Sequence, residues 1–431
     1  MAKTEVPDGA VPPVRPPAVR FWPTYNEKNR AGDHRAWSLL LSADYLLCHI
    51  GYFSVLPILA AVISHQLPGN SGFSVGAALF AYTSAVGISC LLVTRWISRF
   101  SYATAMAGGL LLSAAGMAGI PYVHSIGALV LLLLVAGGGL SVHGLLGRSL
   151  IAEITSGDIE RNKMFSALNI AVNVAAAAGP FIATALYAVG AGKPLFLLVA
   201  GCYATAATLV LWAVPRDLRP RPKSGIWPVS RATLAVVLRD RDALRTALMA
   251  AAGSFLYAQF FSAFAILVAK GIENAPLRAG LFTANALAVV VLQVPVSALV
   301  GRLMKRGVKP LAILGSGTAL FALAMLLLSG QWPLLLSAYL SVLVFSAAET
   351  LFAPMVNTAF SGLPIDSPLE AFNLRQIFCT FGESTGAFCG GGLFLILYSA
   401  GHGDLYWLSL SAGALIVTGI LMVPSRNRLK G

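Results

Sequence analysis

The chain has 431 residues, 57% of them hydrophobic and only 11% charged, with a mean hydropathy of +0.77 and a formal net charge of +13. A water-soluble domain of this size does not carry so few charges, so a soluble enzyme is excluded. The excess of Lys and Arg does not indicate nucleic acid either, because it is confined to particular connections between long apolar runs.

Residues 1–35 are rich in Pro and charge, as in Val11-Pro12-Pro13-Val14-Arg15-Pro16-Pro17. They lack the basic start, short apolar core and small-residue cleavage site of a signal peptide, and are expected to form a disordered cytoplasmic tail. Hydropathy windows then predict twelve helices, near 36–64, 73–94, 103–122, 125–153, 164–190, 194–214, 243–269, 277–300, 308–329, 332–360, 370–399 and 404–423. Each can cross a hydrocarbon core of roughly 30 Å. The fold class expected is therefore all-α and membrane-embedded. A six-helix bundle at 36–214 and another at 243–423 are joined by a cytoplasmic linker at 215–242, and a short tail follows at 424–431. The linker carries Arg219-Pro220-Arg221-Pro222-Lys223 and an amphipathic stretch from Ser230 to Leu238.

Of the 30 Lys and Arg, six precede the first helix. Arg95 and Arg99 follow helix 2, and Arg161 and Lys163 follow helix 4. Eight lie between Pro215 and Thr246, and four after helix 8 (Arg302, Lys305, Arg306, Lys309). Three more lie in the tail. The alternate connections hold only Lys193, Lys270 and Arg278. Basic residues collect on the cytoplasmic side, so both termini are expected there, in a bacterial inner (plasma) membrane, and the net charge records topology and contact with anionic lipid.

The halves echo one another. A basic turn, Thr94-Arg-Trp-Ile-Ser-Arg-Phe-Ser-Tyr, follows helix 2, and Gly301-Arg-Leu-Met-Lys-Arg-Gly-Val-Lys follows helix 8, about 207 positions later; His143 and Glu349, 206 apart, sit in equivalent helices. Repeated halves suit a transporter in which two bundles rock about a midplane site. Over residues 36–423 the chain resembles the major facilitator superfamily. The loop signature of that family, Gly-x-x-x-Asp-Arg-x-Gly-Arg-Arg, keeps its Arg here as Arg99, with Thr94, Ser98 and Ser101 at the Gly, Asp and Gly positions; in the second half Gly301 and Arg306 match. Gly179-Pro180, after Asn173-Val-Ala-Ala-Ala-Ala, is similar to the end of the helix-5 motif of drug/proton antiporters. The stretch from Asp44 to Pro57 resembles the first helix of twelve-span multidrug exporters. The resemblance implies that helices 1, 4, 7 and 10 line a central cavity.

Ionisable side chains within hydrocarbon are costly and mark function. Asp44, His143, Glu349 and Glu383 all fall near mid-depth at about 1.5 Å rise per residue. A desolvated carboxyl there resists ionisation, so it can hold a proton and release it when water or a cationic ligand arrives. These four are the candidates for proton coupling. Each also has a plain reading: local pairing for Asp44, a neutral core ring for His143, a helix-to-helix seam for the stripe of Gln376, Thr380 and Glu383. Candidates for binding substrate are His49, Arg148, Arg375 and Gln376, with Tyr257, Gln259 and Phe261 of helix 7. Phe255, Phe260 and Phe264 lie nearby, and an aromatic run of this kind is more often core or lipid-facing. Arg148 and Arg375 could instead snorkel, or pair with Glu153, Asp44 or Glu349. Arg99, Gly179, Pro180, Gly301 and Arg306 are expected to serve conformational change.

No Gly-x-x-x-x-Gly-Lys-Ser/Thr motif and no room for a nucleotide-binding domain are present, so ATP is not expected to drive transport directly. Gly137-Gly138-Gly139 and Gly390-Gly391-Gly392 fall inside spans and read as close-packing or hinge sites. The five Cys fall in spans as packing residues, and no Cys/His spacing suggests a metal. The expected protein is a monomer that needs no cofactor beyond a proton gradient. Its partners are a small-molecule substrate, protons and the bilayer, and no nucleic acid. The expected activity is proton-coupled export of small organic molecules, drug-like or siderophore-like. The alternatives are a proton symporter importing a nutrient or peptide, and an integral-membrane transferase using Asp44, His49 or His143.

Overall fold

The structure is a computed structural model that describes residues 30–55, 72–188, 192–220 and 227–423. Those residues fold as helices with no strand. The first half contributes α1 (Arg30–Val55), α2 (Gly72–Ile97), α3 (Tyr102–Gly119), α4 (Ile126–Ile154), α5 (Asp158–Ala188) and α6 (Gly192–Ala213). The linker forms α7 (Arg231–Arg239). The second half contributes α8 (Arg241–Phe261) continued by α9 (Ala263–Gly271), then α10 (Ala275–Lys305), α11 (Pro310–Leu326) and α12 (Leu334–Ser361). It ends with α13 (Pro368–Phe388) continued through a π turn into α14 (Phe394–Ser399), and α15 (Gly403–Met422).

Ten of these spans, with α8 and α9 as one, are long and apolar enough to cross a membrane. The other two complete the twelve. One is α11, at 17 residues the short end of the spanning range. The other is α13 with α14, whose hydropathy is lowered by Glu370, Arg375 and Glu383.

Polar side chains fix where the helices begin. Ser101, Ser125, Ser230, Asp240, Asn274 and Ser367 each accept a backbone N–H of the following first turn, satisfying donors that have no partner within the helix. Helix α1 begins at Arg30, six residues before the expected start, so Arg30 to Arg35, expected to be disordered, are helical. The rest of that tail (1–29), the expected end of helix 1 (56–64, with Pro57), residues 221–223 of the linker motif and the tail at 424–431 lie outside the described residues.

Two apolar cores form. One gathers residues from Leu41 to Val214, the other from Val237 to Trp407. Within each, glycines set the closest helix approaches. A side chain on Gly179 would strike the backbone of Phe53 and Ser54 at 2.8–2.9 Å, so α5 crosses α1 in direct contact, and Ser54 Oγ donates to the Gly179 carbonyl at 3.1 Å. Gly386, 207 positions later, packs against Phe255 and Ala258 where α13 crosses α8, with Gly382 against Ala251 and Gly390 against Ser262. This small-residue stripe lets α13 and α8 touch backbone to backbone. The repeat seen in the basic turns therefore extends to packing. Gly137 and Gly139 seat α4 against α2 and α3, respectively. Gly390-Gly391-Gly392 lies within the π turn, Cys389–Leu393.

The halves meet along α5 with α10 and α12, and along α13 with α2 and α4. Leu369 and Phe372 of α13 enter the core of the first half, with the Phe372 ring 6.1 Å from that of Phe165. At the same end, Asn373 Nδ2 donates to Thr94 Oγ1 at 3.1 Å and to the Pro228 carbonyl at 2.8 Å. Glu370 accepts Ser230 Oγ at 2.9 Å, the Ser230 N–H, and the Thr233 hydroxyl of α7. The linker helix is thus tied to the foot of α13. Among the described residues, the side-chain hydrogen bonds joining the halves lie between this linker end and mid-depth.

Candidate substrate and proton site

Four titratable groups were expected at mid-depth, and the structure distributes them over three settings. Asp44 and His143 form one buried pair: they are 1% and 2% exposed, and His143 Nε2 lies 2.7 Å from Asp44 Oδ2. A carboxylate only accepts, so with Asp44 ionised the shared proton sits on Nε2. Cys48, one turn beyond Asp44, directs its thiol to Oδ1 at 3.7 Å. Asp44, Cys48 and His143 place their donor atoms within 4.8 Å of one another. No local spacing announces this grouping, because α1 and α4 contribute its members from 99 positions apart. The ring of Tyr45 lies 5.5 Å from His49 in a stacked arrangement and 5.4 Å from His143. His49 Nδ1 donates to the Tyr45 carbonyl at 2.8 Å, which leaves Nε2 as the acceptor of the neutral ring.

Glu349 occupies the second setting and is 4% exposed. Asn173 of α5 donates to Oε1 and Asn285 of α10 to Oε2, each at 3.3 Å. The network continues through Ser346 Oγ to Asn285 Oδ1 (2.8 Å), Asn169 Nδ2 to Gln293 Oε1 (2.7 Å) and Gln293 Nε2 to the Thr350 carbonyl (3.1 Å). Glu349 does not line a cavity here. It ties α12 to α5 across the seam between the halves. None of the four amides was singled out for a role from the sequence. Asn and Gln inside apolar runs are the signal that would have found them, because buried polar groups need partners.

Glu383 is the third setting. Its side chain is exposed, yet it lies in the interior, within electrostatic reach of Arg148, Arg375, Tyr52 and Tyr257 from α4, α13, α1 and α8. This exposed carboxyl thus has charged and aromatic groups of both halves around it. Gln376 and Thr380 share its stripe: Gln376 Nε2 donates to Thr380 Oγ1 at 3.0 Å, and Gln376 Oε1 accepts Arg148 Nη2 at 3.2 Å and Arg375 Nη1 at 3.5 Å. Arg148 therefore points across the seam to α13. The pairings considered for it, with Glu153, Asp44 or Glu349, are replaced by this amide. Glu153 itself accepts Tyr102 Oη at 3.0 Å, and Asp44 and Glu349 are engaged as described.

The helix-7 candidates divide. Tyr257 is half-buried and stacks on Phe345 at 5.8 Å; Phe261 is exposed, one residue before the break at Ser262, its ring 5.4 Å from that of Tyr257. Gln259, expected to touch substrate, is instead fully buried: its Nε2 donates to the Gly386 carbonyl at 2.9 Å, and its Oε1 accepts Tyr406 Oη at 2.6 Å. It fastens α8 to α13 and α15. Phe260 and Phe264 are core, stacked on each other at 5.0 Å and, for Phe260, on Phe345 at 4.4 Å. Of the motif residues, Arg99 is exposed and lies over the Trp96 ring at 5.0 Å, and Arg306 is exposed where α10 ends. Gly301 is buried beside Ile159, and Pro180 is accommodated inside α5.

Comparison with known proteins agrees with this architecture. Multidrug resistance protein MdtH of Aeromonas hydrophila is 26% identical over 394 residues, covering 89% of this chain and 93% of that protein. The human organic anion transporter MFSD10 superposes with a TM-score of 0.65 at 15% identity, over 90% of this chain and 99% of its own. The E. coli fucose:proton symporter FucP superposes with 0.64 at 16% identity, over 91% and 100%. At these identities the two structures speak for the fold alone. The family model of the Major Facilitator Superfamily matches residues 44–387, and the chain, a membrane transporter and not an enzyme, belongs to that superfamily.

Proposed function

We propose that this chain is a proton-coupled secondary active transporter that exports small organic molecules by alternating access. The reading is carried by one observation: Glu383, an exposed carboxyl far inside a spanning helix, has charged and aromatic groups from both halves within electrostatic reach. Tyr45 and His49, packed beside the buried Asp44–His143 pair, lie within electrostatic reach of Arg148, one of the guanidiniums that also reach Glu383. Such a pair holds or passes a proton as water reaches it, and a potential of 100 mV supplies about 2.3 kcal/mol per charge moved. The multidrug relative supports export of drug-like or siderophore-like compounds. In this reading both termini and the linker are cytoplasmic, the linker end is closed, and the Glu349 network is the hinge line between the halves. The protein works as a monomer in a bacterial inner membrane, with the proton gradient as its only energy source.

A second reading, proton symport, is favoured by Arg148 and Arg375. A carboxylate-bearing substrate would bind best when Glu383 is protonated, so that substrate and proton move together. Proteoliposomes carrying a pH-sensitive dye separate the two. A drug-like substrate gradient that drives protons oppositely supports export, and parallel movement supports symport. Proton flux unchanged in both Glu383→Gln and Asp44→Asn would overturn the coupling.

A further inference from the structure

We propose that Arg148 and Arg375 form a binding site for the carboxylate, sulfonate or phosphate-ester group of an organic anion. The inference rests on the transport reading but not on its direction. With antiport the Asp44–His143 pair carries the proton, and with symport Glu383 does.

The two guanidiniums come from opposite halves, α4 and α13, and converge on one neutral oxygen, Gln376 Oε1. They repel one another. Among the described residues neither makes an ion pair with a carboxylate; the buried carboxylate that does meet a basic side chain is Asp44, on His143. Each also has a buried Nε without a hydrogen-bond partner. A single amide oxygen does not offset two cations withdrawn from water, so the arrangement is poor as a structural device. Glu383 lies within reach of both and lowers the local charge, but one carboxylate against two guanidiniums leaves the site positive.

The geometry suits a missing ligand. Guanidinium is a planar fork of donors matched to the paired oxygens of an oxyanion, and two forks on one centre match a tetrahedral or planar oxyanion from both sides. Arg148 runs beside Gly144, where an added Cβ would already stand 3.6 Å from Nη1, so the backbone leaves the guanidinium room to turn. Tyr52 and Tyr257, which like both arginines lie within electrostatic reach of Glu383, are the rings that would meet the organic part. Because one arginine belongs to each half, an oxyanion held between them would close the seam from the inside. That makes substrate occupancy and closure the same event.

The test is thermal unfolding of the purified full-length protein at constant ionic strength with benzoate, benzenesulfonate or phenyl phosphate, against benzylammonium and sodium sulfate. The three aryl anions share the ring of the cation and differ in the charged group. At least one of them should raise the unfolding temperature in a saturable way while benzylammonium does not. Arg148→Gln and Arg375→Gln should each weaken that response by about tenfold or more. They should leave the ligand-free protein as stable or more stable, since a buried repulsion is removed; a merely structural arginine would lose stability. No stabilisation by any aryl anion, equal stabilisation by benzylammonium, a response to sulfate alone, or an undiminished response in both variants would overturn the proposal. The wild-type comparison decides even if a variant does not fold. Anion binding without proton flux would sink the coupling and spare this site.

Discussion

The Asp44–His143 pair is a group whose parts cannot be removed independently. At 2.7 Å and almost no exposure, each satisfies the other, and taking away one partner leaves the second desolvated and alone. Asp44→Ala is therefore expected to destabilise the protein by about 3 kcal/mol. Asp44→Asn keeps an oxygen for His143 Nε2–H and should cost about 1 kcal/mol, while it removes the negative charge that would hold an additional proton on the pair. Thermal unfolding and proton flux measured on both variants check this: comparable stability loss in the two would show that the hydrogen bond contributes little and the charge carries the interaction. The pairing was only half legible in the sequence. Both residues are conspicuous as polar interruptions of apolar runs, but 99 positions separate them, and nothing local indicates that α1 brings Asp44 to α4. Glu349 shows the opposite error. Its depth is readable from the helix rise, yet its surroundings depend on Asn173 and Asn285, one from each half, which convert a presumed cavity carboxyl into a tie between helices.

Helix identities and order are legible because each run must be long and apolar to cross the bilayer. The breaks inside them are not. The interruption at Ser262 and the π turn at Cys389–Leu393 arise where α8 and α13 press together through Gly382, Gly386 and Gly390, and such local adjustment depends on the partner helix. Gly179 carries the equivalent contact in the first half. Its helix-5 motif marks it in the sequence, but only the structure shows that the Cβ position is filled by the α1 backbone. Gly179→Leu should force α1 and α5 apart at a cost of about 1 to 3 kcal/mol, since backbone cannot move aside as a flexible side chain can. Gly413→Leu in α15, where nothing lies within 4 Å, is the control and should leave the unfolding temperature unchanged. Equal tolerance at the two positions would show that α1 can withdraw from α5 at little cost.

In the proposed cycle, alternating access requires that the bonds joining the halves at the linker end break while those near mid-depth persist. The structure separates the two sets. Asn169, Asn173, Gln293 and Glu349 join α5 to α10 and α12 near mid-depth, whereas Thr94, Asn373, Glu370 and α7 meet at the linker end. Asn373 is the most economical target, because one side-chain nitrogen bonds Thr94 of α2 and the linker carbonyl of Pro228 together. At about 1 kcal/mol for each bond, Asn373→Ala should remove about 2 kcal/mol from the closed linker end alone, a shift of roughly thirtyfold in the ratio of closed to open molecules. Arg99 and Arg306 are exposed, stand at that end in opposite halves and take no part in the bonds being broken, so they suit spin labels. The distance distribution between them should gain a longer component in Asn373→Ala that is minor in the parent. Removing a tie at mid-depth, by Glu349→Gln, should not produce that component, because the amide still bonds one of its two asparagines and lies on the proposed axis between the halves. If the Asn373 variant leaves the distribution unchanged, the linker end is held shut by the burial of Leu369 and Phe372 in the first core, and the polar bonds only fix its register.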